Sequence, residues 1–159
     1  MYSLTTQKKI SELHIKHLHK LFYQGIDEEN SGIYRQQRLF ISGSEYSAAL
    51  HDKIEPLMEE MLVELNERRR IIHPVVFAAE LHQKFVYIHP FVDGNGRVVR
   101  LLMNMALLQD GYPIVVIPPI CRSEYISALE KEHKIPGVFM QFIMERVMEA
   151  QRDYIRLIG

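Results

Sequence analysis

The chain has 159 residues, of which 47% are hydrophobic and 25% charged, as expected of one folded domain with its own core. Lysine and arginine total 19 against 20 acidic residues, and this near-neutral balance argues against a general nucleic-acid binder, which needs a basic excess. The single cysteine, Cys121, excludes an internal disulfide framework and a cysteine-rich zinc site, and it indicates a reducing compartment. No apolar run is long enough to span a bilayer and the N-terminus lacks a secretory pattern, so we expect a cytoplasmic protein without membrane contact.

The first third of the chain predicts two helices with a short extended piece between them. Apolar residues recur at helical spacing over residues 10–22, and Gly25 stands where that helix can end. Residues 35–44 contain β-type residues and end in turn formers, which predicts a strand or small hairpin. A second helix is predicted over residues 54–65, with Asp52 as its N-cap.

The remainder of the chain also reads as mainly helical. The predicted elements are a helix over 75–88, a polar loop over 89–96, an apolar helix over 98–108, an extended piece over 114–117 and helices over 122–134 and 137–158. The helix over 98–108 is apolar on most sides, which is typical of a helix in the centre of a domain. No repeat, linker or low-complexity tract divides the chain, so we predict a single domain.

The loop between these two apolar helices, and the helix start that follows it, have the features of an anion site. The first N–H groups of a helix lack intrahelical partners and carry partial positive charge, which favours bound phosphate. Gly94 and Gly96 let the backbone come close to a ligand. Arg97 and Arg100 are three residues apart on one helix face, and each guanidinium can fork onto phosphate oxygens.

Two further residues of the same loop add acid–base and metal chemistry. His89 can accept a proton near neutral pH, and Asp93 offers a hard carboxylate for Mg²⁺ between phosphates. Taken singly, a histidine before proline is usually structural, Asp-Gly-Asn-Gly is usually a turn, and the arginines are ordinary surface residues. Their coincidence within one short segment favours a polyphosphate site with a divalent cation and a general base.

The run from His89 to Arg100 resembles the Fic-domain signature, His-Pro-Phe-x-x-Gly-Asn-Gly-Arg-x-x-Arg, at every fixed position. Segments on both sides of the signature also resemble this family, and they are most similar to the branch that includes the animal endoplasmic-reticulum Fic enzyme. These segments are residues 32–35, 41–43, 73–75, 84–88, 100–104 and 111–113. The resemblance implies a mainly α Fic fold, a bundle of about six to eight helices with a small β-hairpin flap. It implies one Fic domain over residues 1–159, with its core at about 10–158.

Fic enzymes transfer AMP from ATP to a Ser, Thr or Tyr hydroxyl of a target protein, in some cases the enzyme itself, and release pyrophosphate. The resemblance therefore implies ATP as substrate and Mg²⁺ as cofactor. Carried onto this chain, the family roles are a base at His89, a Mg²⁺ ligand at Asp93, phosphate binding by Asn95 and the backbones of Gly94 and Gly96, charge stabilisation by Arg97, and a γ-phosphate contact by Arg100.

The resemblance also suggests residues for the target segment and the nucleobase. The flap residues Leu39, Phe40 and Ile41 would position an extended target segment through main-chain bonds, although Leu39 and Ile41 are equally compatible with core contacts. Tyr125 matches a family position near the adenine, and ordinary helix packing explains it equally well. His133 stands where the endoplasmic-reticulum branch has an asparagine, which leaves the adenine contacts open.

Many Fic proteins carry an inhibitory helix with the pattern Ser/Thr-x-x-x-Glu-Gly/Asn, and this pattern is absent from the sequence at either end. The only Glu followed by Gly or Asn is Glu29, and Gly25 stands four residues before it. The inhibitor could be a separate protein, an upstream segment of a longer chain, or replaced by other regulation. With no inhibitor in cis, we expect constitutive activity. The sequence does not decide whether the protein forms a homodimer.

Two other functions compete with AMP transfer. A phosphodiesterase that removes AMP from a modified protein would rely on the inhibitory glutamate to orient water, and that glutamate is missing. A non-catalytic nucleotide-binding interaction module would need no base, so the intact His89 argues against it.

Overall fold

The computed structural model describes residues 8–41 and 44–159, and within them the chain forms six α-helices. These are α1 (Glu12–Tyr23), α2 (Ile54–Arg68), α3 (Pro74–Ile88), α4 (Asn95–Gln109), α5 (Arg122–Glu132) and α6 (Val138–Ile158). Short 3₁₀ turns at His51–Lys53 and Pro119–Cys121 precede α2 and α5. The helices agree with the predicted ones to within a few residues at their ends, and the predicted mainly helical fold is confirmed.

Helices α3 and α4 form the centre of the bundle. They pack most extensively against each other, while α2 and α6 pack on α3, α1 packs on α4 and α2, and α5 packs on α6. Phe77 and Phe85 of α3 and Val98 and Leu102 of α4 are almost completely buried. The predicted central position of the apolar fourth helix is therefore confirmed, and the polar loop is held between the two best-packed helices.

The predicted strand over residues 35–44 is wrong for the part of it that the structure describes. Residues 35–41 and Ser44 form no strand, while Ser42 and Gly43 lie outside the described residues. The buried guanidinium of Arg35 donates to the carbonyls of Gln37 and Ala49, at 2.7 and 2.5 Å. Over its described residues the segment is therefore irregular, and the Arg35 side chain bonds one carbonyl within it, that of Gln37.

The predicted N-cap of the second helix is wrong. Asp52 does not cap α2: it lies within the 3₁₀ turn, and the N-cap position belongs to Lys53, without a capping side-chain bond. Ser11 caps α1 by accepting a hydrogen bond from the backbone N–H of His14. The piece over 114–117 is extended but forms no strand. None of the helices found in the described ranges is long and apolar enough to cross a membrane.

Candidate active site

His89 occupies the junction between α3 and the loop that leads to α4. It is the C-cap of α3 and adopts a left-handed backbone conformation, φ 53° and ψ 62°, the one positive φ at a non-glycine residue among those described. This turn directs the chain from α3 into the loop. Its Nδ1 lies 3.3 Å from the carbonyl oxygen of Val86, which can only accept, so Nδ1 carries the proton and Nε2 is left as the acceptor. Burial lowers the pKa of His89, so the ring is neutral at neutral pH.

The side chain of Asn95 locks the loop rather than projecting from it. Its Oδ1 accepts from the backbone N–H of Phe91 at 2.9 Å, and its Nδ2 donates to the Phe91 carbonyl at 2.8 Å. Both residues are buried, and this two-way bond closes residues 91–95 into a rigid turn. The part of Asn95 suited to an anion is therefore its backbone N–H at the start of α4, where such groups lack helical partners.

The two glycines of the loop are needed for different reasons. Gly94 has φ 77°, and a Cβ there would lie 3.0 Å from the ring of Phe22. A side chain at this position would thus meet both backbone strain and a packed aromatic ring. Gly96 has ordinary helical geometry, but a Cβ would lie 3.4 Å from a guanidinium nitrogen of Arg100. The absence of a side chain at Gly96 lets the Arg100 guanidinium lie against the N-terminal turn of α4.

The charged side chains of the loop differ in their surroundings. Asp93 and Arg97 are exposed, and the Arg97 guanidinium lies 5.7 Å from the ring centroid of Phe22. Arg100 is half-buried and lies against Gly96. Burial raises the pKa of Tyr125 to about 12, and the Arg100 charge acts in the opposite direction. The segment therefore offers one half-buried cation, Arg100, and two exposed charged groups, Asp93 and Arg97.

Arg35 supports the loop from the flap side, a role that the sequence analysis did not find. It is 2% exposed; its Nε donates to the carbonyl of His89 at 2.8 Å, and its backbone N–H donates to the carbonyl of Pro90 at 2.9 Å. A further guanidinium nitrogen lies 3.4 Å from the carbonyl of Ile88. A buried arginine beside the last carbonyls of α3 also complements the negative end of that helix. Because the partners of Arg35 at residues 88–90 are far from it in the sequence, no local pattern predicted this role.

His19 supports the same loop from α1 and was also missed. Its Nδ1 accepts from the backbone N–H of Gly32 at 2.8 Å, so Nε2 carries the proton and donates to the carbonyl of Asp93 at 3.1 Å. The ring stacks on Phe91, with centroids 3.9 Å apart and planes 2° apart. The available sequence signal was its helical spacing with Ile15, which marks the buried face of α1.

A cavity of about 440 Å³ opens beside the loop, within the size range of small-molecule sites. Its lining includes His89, Gly96 and Arg100. It also includes an aromatic stack, in which the ring of His133 lies between Tyr46 and Tyr87, with centroids 3.5 and 4.1 Å away. The remaining lining comprises Ile41, Ser44, Ser47, Val86, Asn95, Ile117, Pro118, Pro119, Arg122, Tyr125, Ile126, Leu129 and Glu130. The lining thus combines groups that suit phosphates with rings that suit a flat ligand.

The structure brings some of the predicted site residues together in this cavity and leaves others at its margin. His89, Asn95, Gly96, Arg100, Tyr125 and Ile41 line it. Asp93, Gly94, Arg97, Leu39 and Phe40 are not part of the lining; Phe40 is 83% exposed and Leu39 is half-buried. Glu29, the one partial match to an inhibitory pattern, lies exposed in a turn after α1. The described residues contain no group of three or more potential metal ligands.

The model of the Fic/DOC family matches residues 9–107 of the chain, well over half its length. The chain belongs to the Fic/DOC family. Two curated relatives are named protein adenylyltransferase Fic: the one from Drosophila grimshawi is 37% identical and the one from Drosophila virilis 38% identical, each over 129 residues, which is 80% of this chain and 26% of the relative. The chain therefore spans about a quarter of the length of the curated relatives it matches.

Solved structures of Fic proteins share the fold. Fic-1 from C. elegans superposes with a TM-score of 0.85 at 27% identity, covering 95% of this chain and 44% of that one. A Fic-domain signalling protein from Bacteroides thetaiotaomicron gives a TM-score of 0.82 at 25% identity, covering 93% of this chain and 63% of that one. The predicted Fic fold is thus confirmed over nearly the whole chain.

Proposed function

We propose that this Fic-family chain is a protein adenylyltransferase, which transfers AMP from ATP to a hydroxyl of a target protein. The observation that carries the proposal is the cavity whose lining brings together His89, the N-terminus of α4, Arg100 and an aromatic stack. The names of the fly relatives support the same activity.

In the proposed reaction, Nε2 of His89 accepts the proton of the target hydroxyl while that oxygen attacks the α-phosphorus of ATP. The new P–O bond joins the target to AMP, the bond from the α-phosphorus to the bridging oxygen breaks, and pyrophosphate leaves. A neutral, buried imidazole with its other nitrogen bonded to Val86 suits this role, because its acceptor is available at neutral pH.

The phosphates would be held by the start of α4 and its arginines. Helix N-terminal N–H groups and the Arg100 guanidinium offer positive charge before the reaction begins, which is how phosphoryl-type transfer is generally promoted. In this proposal Arg100 binds the γ-phosphate, and Arg97, at the rim, closes onto the α- and β-phosphates. The stack of Tyr46, His133 and Tyr87, together with Tyr125, forms the wall for the adenine.

Mg²⁺ fits this site through Asp93. The carboxylate is exposed at the rim, while the carbonyl of the same residue is turned inward and bonded to His19. Mg²⁺ commonly takes one protein carboxylate and completes its ligands with phosphate oxygens and water, so a single carboxylate suffices. When bound, the ion would neutralise charge on the phosphates.

The target would lie along the flap. Exposed Phe40 offers an apolar contact, and Leu39 and Ile41 flank it on the side nearer the core. The described part of the flap forms no strand of its own, and its main chain at Leu39 and Phe40 is the candidate for pairing with an extended target segment. Inhibition by a separate protein or by an upstream segment is likewise a proposal. A cytoplasmic location is also a proposal, and the single cysteine supports it.

The test is transfer of label from ATP. The purified chain is incubated with Mg²⁺ and ATP labelled at the α-phosphate, and in parallel with ATP labelled at the γ-phosphate, with and without cell lysate. We expect protein-bound label from the α position alone, and we expect the variant His89→Ala to abolish it.

Each other outcome contradicts the proposal in a defined way. Label from the γ position would indicate phosphate transfer. No label from either position, together with release of AMP from a modified protein, would indicate the reverse, hydrolytic reaction. Nucleotide binding without any turnover in either direction would indicate a binding module.

A further inference from the structure

Glu130 of α5 lines the cavity and takes no part in the proposed reaction. Its Oε1 accepts a hydrogen bond from the hydroxyl of Ser44 at 2.6 Å, across 86 residues of sequence, and its Oε2 accepts from the backbone N–H of Glu45 at 3.0 Å. Hydrogen bonds to an ionised acceptor are the stronger ones, so these two tie residues 44 and 45 to α5. The exposed ion pair between Glu45 and Lys134, with its charged atoms 3.6 Å apart, adds little to this attachment.

The same segment carries Tyr46, one end of the aromatic stack in the cavity lining. The backbone N–H of Tyr46 donates to the hydroxyl oxygen of Ser44 at 3.0 Å, so that hydroxyl donates to Glu130 and accepts from Tyr46. The ring of Tyr46 lies on the ring of His133, with centroids 3.5 Å apart and planes 21° apart. A chain of hydrogen bonds therefore joins the Glu130 carboxylate to the residue that completes the stack.

The other two rings of the stack are held by helices. Tyr87 belongs to α3, and its hydroxyl donates to the backbone carbonyl of Leu129 in α5 at 3.1 Å. His133 is the C-cap of α5 and stacks on Tyr87, with centroids 4.1 Å apart. Tyr46, in contrast, lies in an irregular segment outside the helices. Its place in the stack therefore depends on the hydrogen bonds that attach its segment to Glu130.

We propose that Glu130 is a positioning residue for the nucleobase, because it holds Tyr46 in the stack and so completes the wall on which the adenine packs. The inference rests on the proposed function, which places the adenine against this stack. Each oxygen of the Glu130 carboxylate already accepts from a donor of residues 44 and 45. Glu130 therefore acts through Tyr46 and not through a contact of its own with the base.

The expected defect is confined to the base. A ring that is held in place before binding loses less freedom when the base arrives. Without the Glu130 carboxylate, residues 44 and 45 lose two hydrogen bonds to α5, and the Tyr46 ring is free to leave His133. The phosphates lie at the start of α4 and at Arg100 in the proposed function, so their binding does not depend on this contact.

The experiment compares ATP with inorganic triphosphate, each in the presence of Mg²⁺, by isothermal titration calorimetry. We expect Glu130→Ala to weaken ATP binding about threefold to tenfold, the size of one aromatic contact, and to leave triphosphate binding within about twofold. Ser44→Ala breaks the same chain of bonds and should weaken ATP binding by a similar factor. Glu130→Gln keeps one acceptor oxygen and should recover part of the ATP affinity.

A double-mutant cycle with Tyr46 separates positioning from direct contact. Tyr46→Ala removes the ring that Glu130 is proposed to hold, so Glu130→Ala should have no further effect on ATP affinity in that background. If the two losses add, Glu130 contacts the base by itself and the positioning role is refuted. The cycle uses ATP alone, so it decides this point even where triphosphate binds too weakly to be measured.

The matched control is Glu132→Ala, on the same helix. The Glu132 carboxylate also accepts from two donors, the backbone N–H groups of Gly137 and Phe139 at 2.8 and 2.6 Å, but Glu132 is not among the described residues that line the cavity. We expect ATP and triphosphate to bind to this variant as they bind to the wild type. Thermal unfolding of every variant separates loss of structure from loss of orientation, and Ser44→Ala keeps the test usable where Glu130→Ala does not fold.

The outcome also separates this inference from the proposed function. If Tyr46→Ala leaves ATP affinity unchanged, the adenine wall of the proposed function is refuted, and the inference falls with it. If Tyr46→Ala weakens ATP binding but Glu130→Ala does not, only the positioning role is refuted. Equal losses for ATP and triphosphate in Glu130→Ala would also overturn that role, because a general packing defect predicts this result.

Discussion

The Nε of Arg35 donates a hydrogen bond to the backbone carbonyl of His89 at 2.8 Å, across 54 residues of sequence. The same guanidinium bonds the carbonyl of Gln37, at the start of the flap, and the carbonyl of Ala49, which follows the flap. One buried cation thus ties the flap, which would hold the target, to the residue that would accept the target's proton. The position of His89 therefore depends on a side chain outside the signature segment.

Arg35→Met should destabilise the fold by about 3 kcal/mol or more, because it leaves several carbonyls without the charged donor that they bond. Urea denaturation followed by circular dichroism measures the free energy of unfolding. Arg152→Met, at an exposed position on α6, is the matched control and should stay within about 0.5 kcal/mol of the wild type. A stability loss at Arg35 no larger than the control's would contradict its role as the tie between flap and loop.

His89→Ala should lower the transfer rate by about 10²–10⁴ without weakening nucleotide binding, because the base acts on the target hydroxyl and not on ATP. Steady-state labelling and calorimetry measure the two effects separately. His17→Ala, an exposed histidine on α1, serves as control and should leave both unchanged. A rate within threefold of the wild type would rule His89 out as the base.

The pH dependence of the rate follows from the surroundings of His89. The base must be neutral, and burial lowers its pKa from the usual 6.5, so activity should fall as pH drops through a value below 6.5. Between pH 7 and 8 the rate should be flat. A pH–rate profile of kcat/KM gives the answer, and an acid limb centred above pH 7 would contradict the burial argument.

The stability of the fold should decrease in acid because of buried neutral histidines. Burial lowers the pKa of His19, and that of His82 to about 3, both from 6.5. A group with a lowered folded-state pKa stabilises the protein above its unfolded pKa and loses that contribution as pH falls towards the folded value. We therefore expect the melting temperature to fall progressively below pH 6.5. The variant His17→Gln should show the same profile as the wild type, and a stability that is constant from pH 7 to pH 5 would refute the account.

Gly94→Ala should cost more stability than Gly111→Ala, and the comparison isolates the close contacts of the new Cβ with the rings of Phe22 and His19. Both glycines have positive φ, 77° and 82°, so both substitutions carry backbone strain of about 1 kcal/mol. A Cβ at Gly94 lies 3.0 Å from the Phe22 ring, whereas a Cβ at Gly111 meets nothing within 4 Å. Thermal or urea unfolding of the two variants should differ by about 1 kcal/mol or more. Equal losses of stability in the two variants would show that the Phe22 ring moves aside at no energetic cost.

The signature from His89 to Arg100 and the six helices were predictable because their signals are local. Apolar spacing depends on residues three and four apart, and the loop's glycines, arginines, histidine and aspartate follow one another within a single segment. The flap strand was predicted from equally local signals and was wrong over its described part, where the carbonyl of Gln37 is bonded by the buried Arg35. Local preference for a strand does not decide the backbone conformation where a buried charge needs hydrogen-bond partners.

The family and the helical architecture can thus be predicted from the order of residues alone, and so can the position of the candidate site in the loop between α3 and α4. The supports of that loop cannot, because they join residues far apart: His19 reaches the carbonyl of Asp93 across 74 residues, and Tyr125 reaches His82 across 43. A hydrogen bond between distant residues leaves no periodic trace in the chain, and only the packing of the helices brings its two ends within 3.5 Å. The tertiary structure therefore decides that His19 and Arg35, which lie far from the signature in the sequence, support its loop.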